Sequence, residues 1–192
     1  MQDIRILKVS KAYGDKSVLS DLSLTIPHGA RIALMGPSGV GKTTLLRILL
    51  GLERADGGHV TGLPRRIATV FQEDRLCPWL SVKENIKLTS RNLPDSEIEA
   101  TLAALGLAGE GDTLARDLSG GMSRRAAIAR ALLFDGDMLI LDEPFRGLDE
   151  ENRARTAACI SAMSVGKTLL LVTHDAREAA LLGATVKGDL FA

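Results

Sequence analysis

Cysteine is scarce in this chain, with two among 192 residues, and Cys77 and Cys159 fit neither a metal nor a redox spacing. Both are expected as reduced thiols, in the core or near the surface of a cytosolic protein, with a disulfide the lesser alternative. The three histidines are scattered, so no zinc site is suggested. Net charge is absent, because Lys+Arg and Asp+Glu both total 24. No global basic field exists to hold nucleic acid or an anionic membrane surface. The local pairs Arg65-Arg66 and Arg124-Arg125 read by default as solvated surface. Long apolar runs are missing too. Leu169–Val172 and Leu45–Leu52, the latter broken by Arg47, fall far short of the roughly 20 residues that a membrane helix needs. Met1–Arg5 carries no apolar signal segment. Any work at a membrane would need another component as its anchor.

What is present suits a globular domain with a proper core: hydrophobic residues make up 45% and charged residues 25%. Leu22, Leu24 and Ile26 alternate with Ser23 and Thr25, the period of a half-buried strand, while Ile4, Ile6 and Val9 are spaced irregularly. This opening third reads as a β-layer. Arg31–Met35 is a short apolar strand running into Gly36, with a helix over Thr43–Leu50 that Gly51 stops. Turn residues Gly57, Gly62 and Pro64 surround a short strand at His59-Val60, and Ile67–Phe71 is the next strand. Ser81 with Glu84, and Ser96 with Glu99, have capping-box spacing. Ile98, Leu102 and Leu105 then recur at helical spacing until Gly106. Beyond this helical block come a strand at Met138–Leu141, a helix at Asp149–Met163 and a strand at Thr168–Thr173. A last helix at Asp175–Leu182 and a short strand near Thr185-Val186 follow. The expectation is an α/β fold in one domain, residues 1–192: a mostly parallel central sheet, an N-terminal antiparallel β-layer, and an inserted helical subdomain at 76–134.

Gly36-Pro37-Ser38-Gly39-Val40-Gly41-Lys42-Thr43 matches the phosphate-binding P-loop pattern in full, between an expected strand and an expected helix. Glycines let the backbone turn its N–H groups inward, and the helix start adds positive potential at the phosphates. Lys42 supplies a cation for the β- and γ-phosphates, and Thr43 a hydroxyl for Mg²⁺. Asp142, at the end of an apolar strand, is placed to hold Mg²⁺ through water, with Glu143 directly after it. Ser119-Gly120-Gly121 begins another helix, and a serine cap followed by glycines leaves its first N–H groups open to an anion.

Leu118-Ser119-Gly120-Gly121 ahead of Leu141-Asp142-Glu143-Pro144, in a chain with a P-loop, resembles the ATP-binding cassette (ABC) ATPases. The likeness runs from Tyr13 to His174. It implies ATP and Mg²⁺ as cofactors, with ATP held by Tyr13 stacked on adenine and by Gly36 through Thr44. It further implies Glu143 polarising the attacking water, and Gln72 reaching Mg²⁺ and the γ-phosphate region. His174 corresponds to the switch histidine that touches the γ-phosphate. Ser119, Gly120 and Gly121 would contact ATP on a second cassette across a twofold interface, which the Gly147-Leu148-Asp149 turn crosses.

The family motif most often ends in Gln where this chain has Met122, and methionine cannot donate the same polar contact, which puts dimer strength and turnover in question. The stretch Gln72–Asn85 and Pro144-Phe145 resemble importer ATPases for nitrate, sulfonates and related solutes. The implied partners are a second cassette (the same chain or a related copy), integral membrane permease subunits and an extracytoplasmic solute-binding protein. The implied place is cytoplasmic, peripheral on the inner face of the membrane. Trp79 reads equally as an anchor for a permease helix or as a packed residue of the helical block. About eighteen residues follow His174, too few for the extra regulatory domain of some importer ATPases. Two other classes are weighed against transport: a DNA-maintenance cassette, which would need long coiled coils, and a non-hydrolysing regulator, which Lys42, Asp142, Glu143 and His174 argue against.

Overall fold

A computed structural model describes residues 2–188, so Met1 and residues 189–192 of the expected domain lie outside it. The opening hairpin pairs β1 (Ile4–Tyr13) with β2 (Lys16–Ile26), and β4 (Gly57–Thr61) adds to the other side of β1. Every pairing in this three-stranded layer is antiparallel. The irregular spacing of Ile6 and Val9 has a cause. The register shifts between them, with Lys8 at φ 48°, and shifts again between Val9 and Lys11, where Asp21 on β2 also has φ 48°. The first bulge returns Val9 to the inner face, where it is fully buried opposite Leu22.

Strands β3 (Arg31–Leu34), β5 (Ile67–Val70), β6 (Met138–Asp142), β7 (Thr168–Val172) and β8 (Thr185–Lys187) form a second sheet in the order β5-β6-β7-β3-β8. All of its neighbours pair in parallel. All residues of β6 and β7 are buried, as expected of parallel strands covered on both faces. Their alternation splits the core in two. Met138, Ile140, Leu170 and Val172 face the β-layer and helix α1 (Lys42–Leu49); Leu139, Leu141, Leu169 and Leu171 face the other helices.

Those helices are α2 (Val82–Lys87), α3 (Asp95–Ala104), α4 (Gly120–Leu132), α5 (Glu150–Met163) and α6 (Ala176–Leu181). Gly51 and Gly106 follow α1 and α3 at φ 69°, the left-handed C-terminal stop expected of them. The capping box at Ser81 is present: Ser81 N donates to Glu84 Oε2 at 2.7 Å, and Glu84 N to Ser81 Oγ at 3.2 Å. The second capping box is not. Helix α3 starts two residues earlier, at Asp95, with Pro94 at the N-cap and no side-chain cap bond. Ser96 therefore lies inside the first turn, and Glu99 instead meets Lys83 Nζ at 2.7 Å. Among the described residues no helix is long and apolar enough to cross a membrane. Both cysteines are free, Cys77 exposed and Cys159 buried.

Gly58 is where β4 can approach β1. Its φ is 73°, and a Cβ there would lie 2.2 Å from the Lys8 carbonyl oxygen. Gly58→Ala is expected to lose about 3 kcal/mol or more of unfolding free energy, against about 1 kcal/mol for Gly29→Ala, which shares φ 73° in open surroundings. Urea melts of both variants test this, and equal losses would contradict the close approach.

Candidate functional site

Four strands of the parallel sheet end at one edge, and the polar residues of the sequence follow those ends. Between them lies a cleft of about 300 Å³. One wall is the loop after β3 and the start of α1: Ser38, Gly39, Gly41, Lys42, Thr43 and Thr44. The opposite wall carries Gln72 beyond β5, with Asp142 and Glu143 at and after the end of β6. Val18 and Val172 supply its apolar contacts.

Gly41 has φ 106°, and a Cβ there would lie 2.7 Å from both the Val18 carbonyl oxygen and Leu19 Cδ2. Only glycine lets the loop press against β2 and turn into α1, whose N-terminus no side chain caps. Lys42 is buried, and its Nζ donates to the carbonyls of Gly36 at 2.6 Å and Pro37 at 2.7 Å. Gly36 and Pro37 thus hold the lysine, and neither they nor Val40 are part of the cleft wall.

Asp142 is 5% exposed, and its pKa is pushed up from 3.8 to about 6, first by burial and then by the adjacent Glu143 carboxylate. Arg124 and Lys42 offset part of this rise. Glu143 adopts φ 48°, a left-handed conformation costing a residue with a Cβ about 1–2 kcal/mol. Its N–H donates to the Val172 carbonyl at 2.9 Å, which fixes it beside the end of β7. His174 is exposed, with Nδ1 at 3.6 Å from Glu143 Oε1, an ion pair only when the imidazole is protonated.

Tyr13 is not in the cleft wall. It ends β1 half-exposed, with Lys11 Nζ 5.4 Å from its ring centroid. Lys11 is itself held by Glu53 at 3.1 Å and Asp56 at 3.0 Å. Ser119, Gly120 and Gly121 also lie outside the cleft, at the start of α4, where Ser119 Oγ accepts from Met122 N at 3.3 Å. Gly121 packs against the turn at Gly147, as a Cβ on it would lie 3.5 Å from the Gly147 carbonyl oxygen. Asp149 caps α5 by accepting from Asn152 N at 2.8 Å, and those bonds hold its carboxyl below the usual range. Met122 packs against the helical core.

The solvated reading of Arg124-Arg125 is wrong. Arg124 is 3% and Arg125 8% exposed, and burial lowers the Arg125 pKa. Arg125 donates to the carbonyls of Leu105 at 2.8 Å and Gly106 at 2.9 Å; Arg124 bonds backbone at the cleft. Helical spacing carried the signal, since Arg124 shares a face with Ile128 and Arg125 with Ala129. Nor does Trp79 join the helical core. It is 71% exposed, with the Arg116 guanidinium 4.7 Å from its ring centroid. Its loop is held from inside by Asn85, which accepts from Cys77 N at 2.7 Å and donates to the carbonyls of Cys77, Leu80 and Ser81.

A glycine loop at a helix start, facing a buried carboxylate at a strand end, defines a P-loop nucleotide-binding protein. Residues 19–146 match the family model described as ABC transporter. The chain is 41% identical over 195 aligned positions to the aliphatic sulfonates import ATP-binding protein SsuB 2 of Burkholderia cenocepacia, covering 96% of this chain and 72% of that protein. It is 44% identical over 187 positions to the SsuB protein of Granulibacter bethesdensis, covering 95% and 78% respectively. A dimeric bacterial ABC transporter cassette superposes with a TM-score of 0.84 at 27% identity, over 93% of this chain and 90% of that one. A bacterial Atm1-family exporter with ATP bound gives the same score at 24% identity; the chain spans 35% of that longer chain, and this likeness concerns the fold. The chain belongs to the ATP-binding cassette (ABC) transporter family, as an ATP-hydrolysing, nucleotide-binding subunit.

The raised pKa of Asp142 has a measurable consequence. From about pH 4 to 6 the folded protein keeps a proton that the unfolded chain has lost, so ionisation above that range opposes folding. Asp142→Asn is expected to stabilise the metal-free protein by about 1–2 kcal/mol above pH 6.5, with no gain below about pH 4. Urea melts at the two pH values check it, and a gain independent of pH would contradict the buried charge.

Proposed function

We propose that the chain couples MgATP binding and hydrolysis to solute import through a membrane permease, and that the cleft between Lys42 and Glu143 is its hydrolysis site. The observation that carries this is the convergence of Lys42, Thr43, Gln72, Asp142 and Glu143 on one cleft at the sheet edge. Hard oxygen donors suit Mg²⁺: the Thr43 hydroxyl, the Gln72 amide oxygen and the Asp142 carboxylate would hold it. A single buried carboxylate, with phosphates and water completing the shell, is the donor set this ion favours. When bound, the ion neutralises charge on the β- and γ-phosphates.

The chain's own groups do the rest. N–H groups at the start of α1 face the phosphates, and Lys42 exchanges its two carbonyl partners for phosphate oxygens. Glu143 polarises the attacking water, and His174, exposed beside it, meets the γ-phosphate. Tyr13 offers its free ring face to the adenine from the rim of the cleft. Ser119, Gly120 and Gly121, lying outside the chain's own cleft, face ATP held by a second cassette, with the Asp149 turn between the two. Methionine at position 122 fits this arrangement because its side chain is used in core packing.

The helical segment at 76–134 is the part that meets the permease, where Trp79 stands on a loop braced by Asn85. Import, an extracytoplasmic solute-binding protein and a place on the inner membrane face follow from the likeness to importer ATPases. Nothing in the chain contacts the solute, so its identity lies with those partners.

Turnover per chain, measured with Mg²⁺ over rising protein concentration, tests the pairing of cassettes and is expected to rise. Glu143→Gln should keep ATP binding, favour the dimer and lower the rate by about 10²–10⁴-fold. A variant with normal turnover would remove Glu143 from the reaction, and a rate per chain independent of concentration in a monomer would remove the second cassette.

A further inference from the structure

Arg124 brings a charge into the interior and divides it between the ends of β5 and β6, on one wall of the cleft. Nη1 donates to the Phe71 carbonyl at 2.6 Å and to Asp74 Oδ1 at 3.0 Å. Nη2 donates to the carbonyls of two successive residues, Asp142 at 2.7 Å and Glu143 at 2.6 Å. In an extended strand successive carbonyls point to opposite sides, so one nitrogen reaches both only if the chain turns between them. The left-handed backbone of Glu143 is that turn. Phe71 in turn precedes Gln72, so the same guanidinium holds Asp142 and Glu143 directly and lies one residue from Gln72.

We propose that Arg124 is the positioning residue of the hydrolysis site, holding Glu143 in its left-handed turn and fixing the strand end that presents Gln72. The inference rests on the reading of Glu143 as the group that polarises water. Charge-assisted bonds to carbonyls are stronger than neutral ones, and the planar fork suits several acceptors at fixed angles. Asp74 balances the charge, so the bonds to carbonyls are made without an isolated buried cation. Arg130, further along the same helix, donates to the carbonyls of Asp74 at 2.9 Å and Arg75 at 2.7 Å. None of its hydrogen bonds goes to β6. It therefore serves as a control that loosens the loop after Gln72 and leaves Glu143 in place.

The test uses the full chain with Arg124→Gln, Arg124→Lys and Arg130→Gln. Arg124→Gln is expected to lower kcat by about 10–100-fold while KM for ATP changes by less than about threefold. Arg124→Lys should recover part of the loss, and Arg130→Gln should stay within about threefold of the parent. Added to Glu143→Gln, the Arg124→Gln change should cause little further loss, because the group it positions is gone. Independently of activity, the Glu143 amide should exchange hydrogen about tenfold faster in Arg124→Gln, while the Leu45 amide in α1 is unchanged.

A loss of kcat that tracks the folded fraction alone would overturn the proposal. So would a full multiplicative loss in the Glu143→Gln background, or unchanged exchange at Glu143. Where Arg124→Gln does not fold, Arg124→Lys carries the same exchange and kcat comparison. If turnover proves independent of Glu143, the reading of the base fails. The exchange measurement then still decides whether Arg124 holds that turn.

Discussion

Strands β6 and β7 are covered on both faces, so they have no place for a charged side chain except at their C-terminal ends. Most of the site follows from that constraint. Apolar residues run without interruption to Leu141 and Val172, and polar chemistry begins where the sheet stops: Asp142 and Glu143 on one strand, Thr173 and His174 on the next. Parallel pairing brings these ends to the same edge as the loop after β3. A P-loop and a carboxylate separated by a hundred residues thus come to share a cleft, because the sheet aligns the ends of their strands.

The same burial creates the electrostatic tension at the site. Asp142 is removed from water beside another carboxylate, which favours its neutral form. Lys42 and Arg124 are the cations that offset this, and each is itself tied to backbone carbonyls rather than to the Asp142 carboxylate. The positive charge is held near the anionic groups without cancelling them. Such an arrangement costs stability, which is common where residues are kept for function rather than for the fold.

Much of this was legible in the sequence where chemistry is written locally. Consecutive residues specify the P-loop, the Asp142-Glu143 pair and the serine that caps α4, and apolar runs mark β6 and β7. The sequence was less informative where packing between distant elements decides. Whether Ser96 caps α3 depended on Pro94 and on Lys83 claiming Glu99. The bulge at Lys8 made an inward strand look irregular. Arg124 was misread because paired arginines ordinarily face water; only the strand ends beneath α4 explain where the charge goes. Tyr13 ends β1 outside the cleft wall, with a lysine over its ring.

The loop braced by Asn85 gives the molecule a property unrelated to catalysis. It carries both the single tryptophan of the chain and its one exposed thiol, Cys77, while burial pushes the Cys159 thiol up and keeps it from the surface. Thiolate is the reactive form, so a maleimide near neutral pH discriminates between the two sulfurs. Fluorescence from Trp79, and from a dye placed two residues before it, therefore comes from one loop of the helical segment, in the unmodified sequence. The face assigned to the permease is optically addressable as it stands.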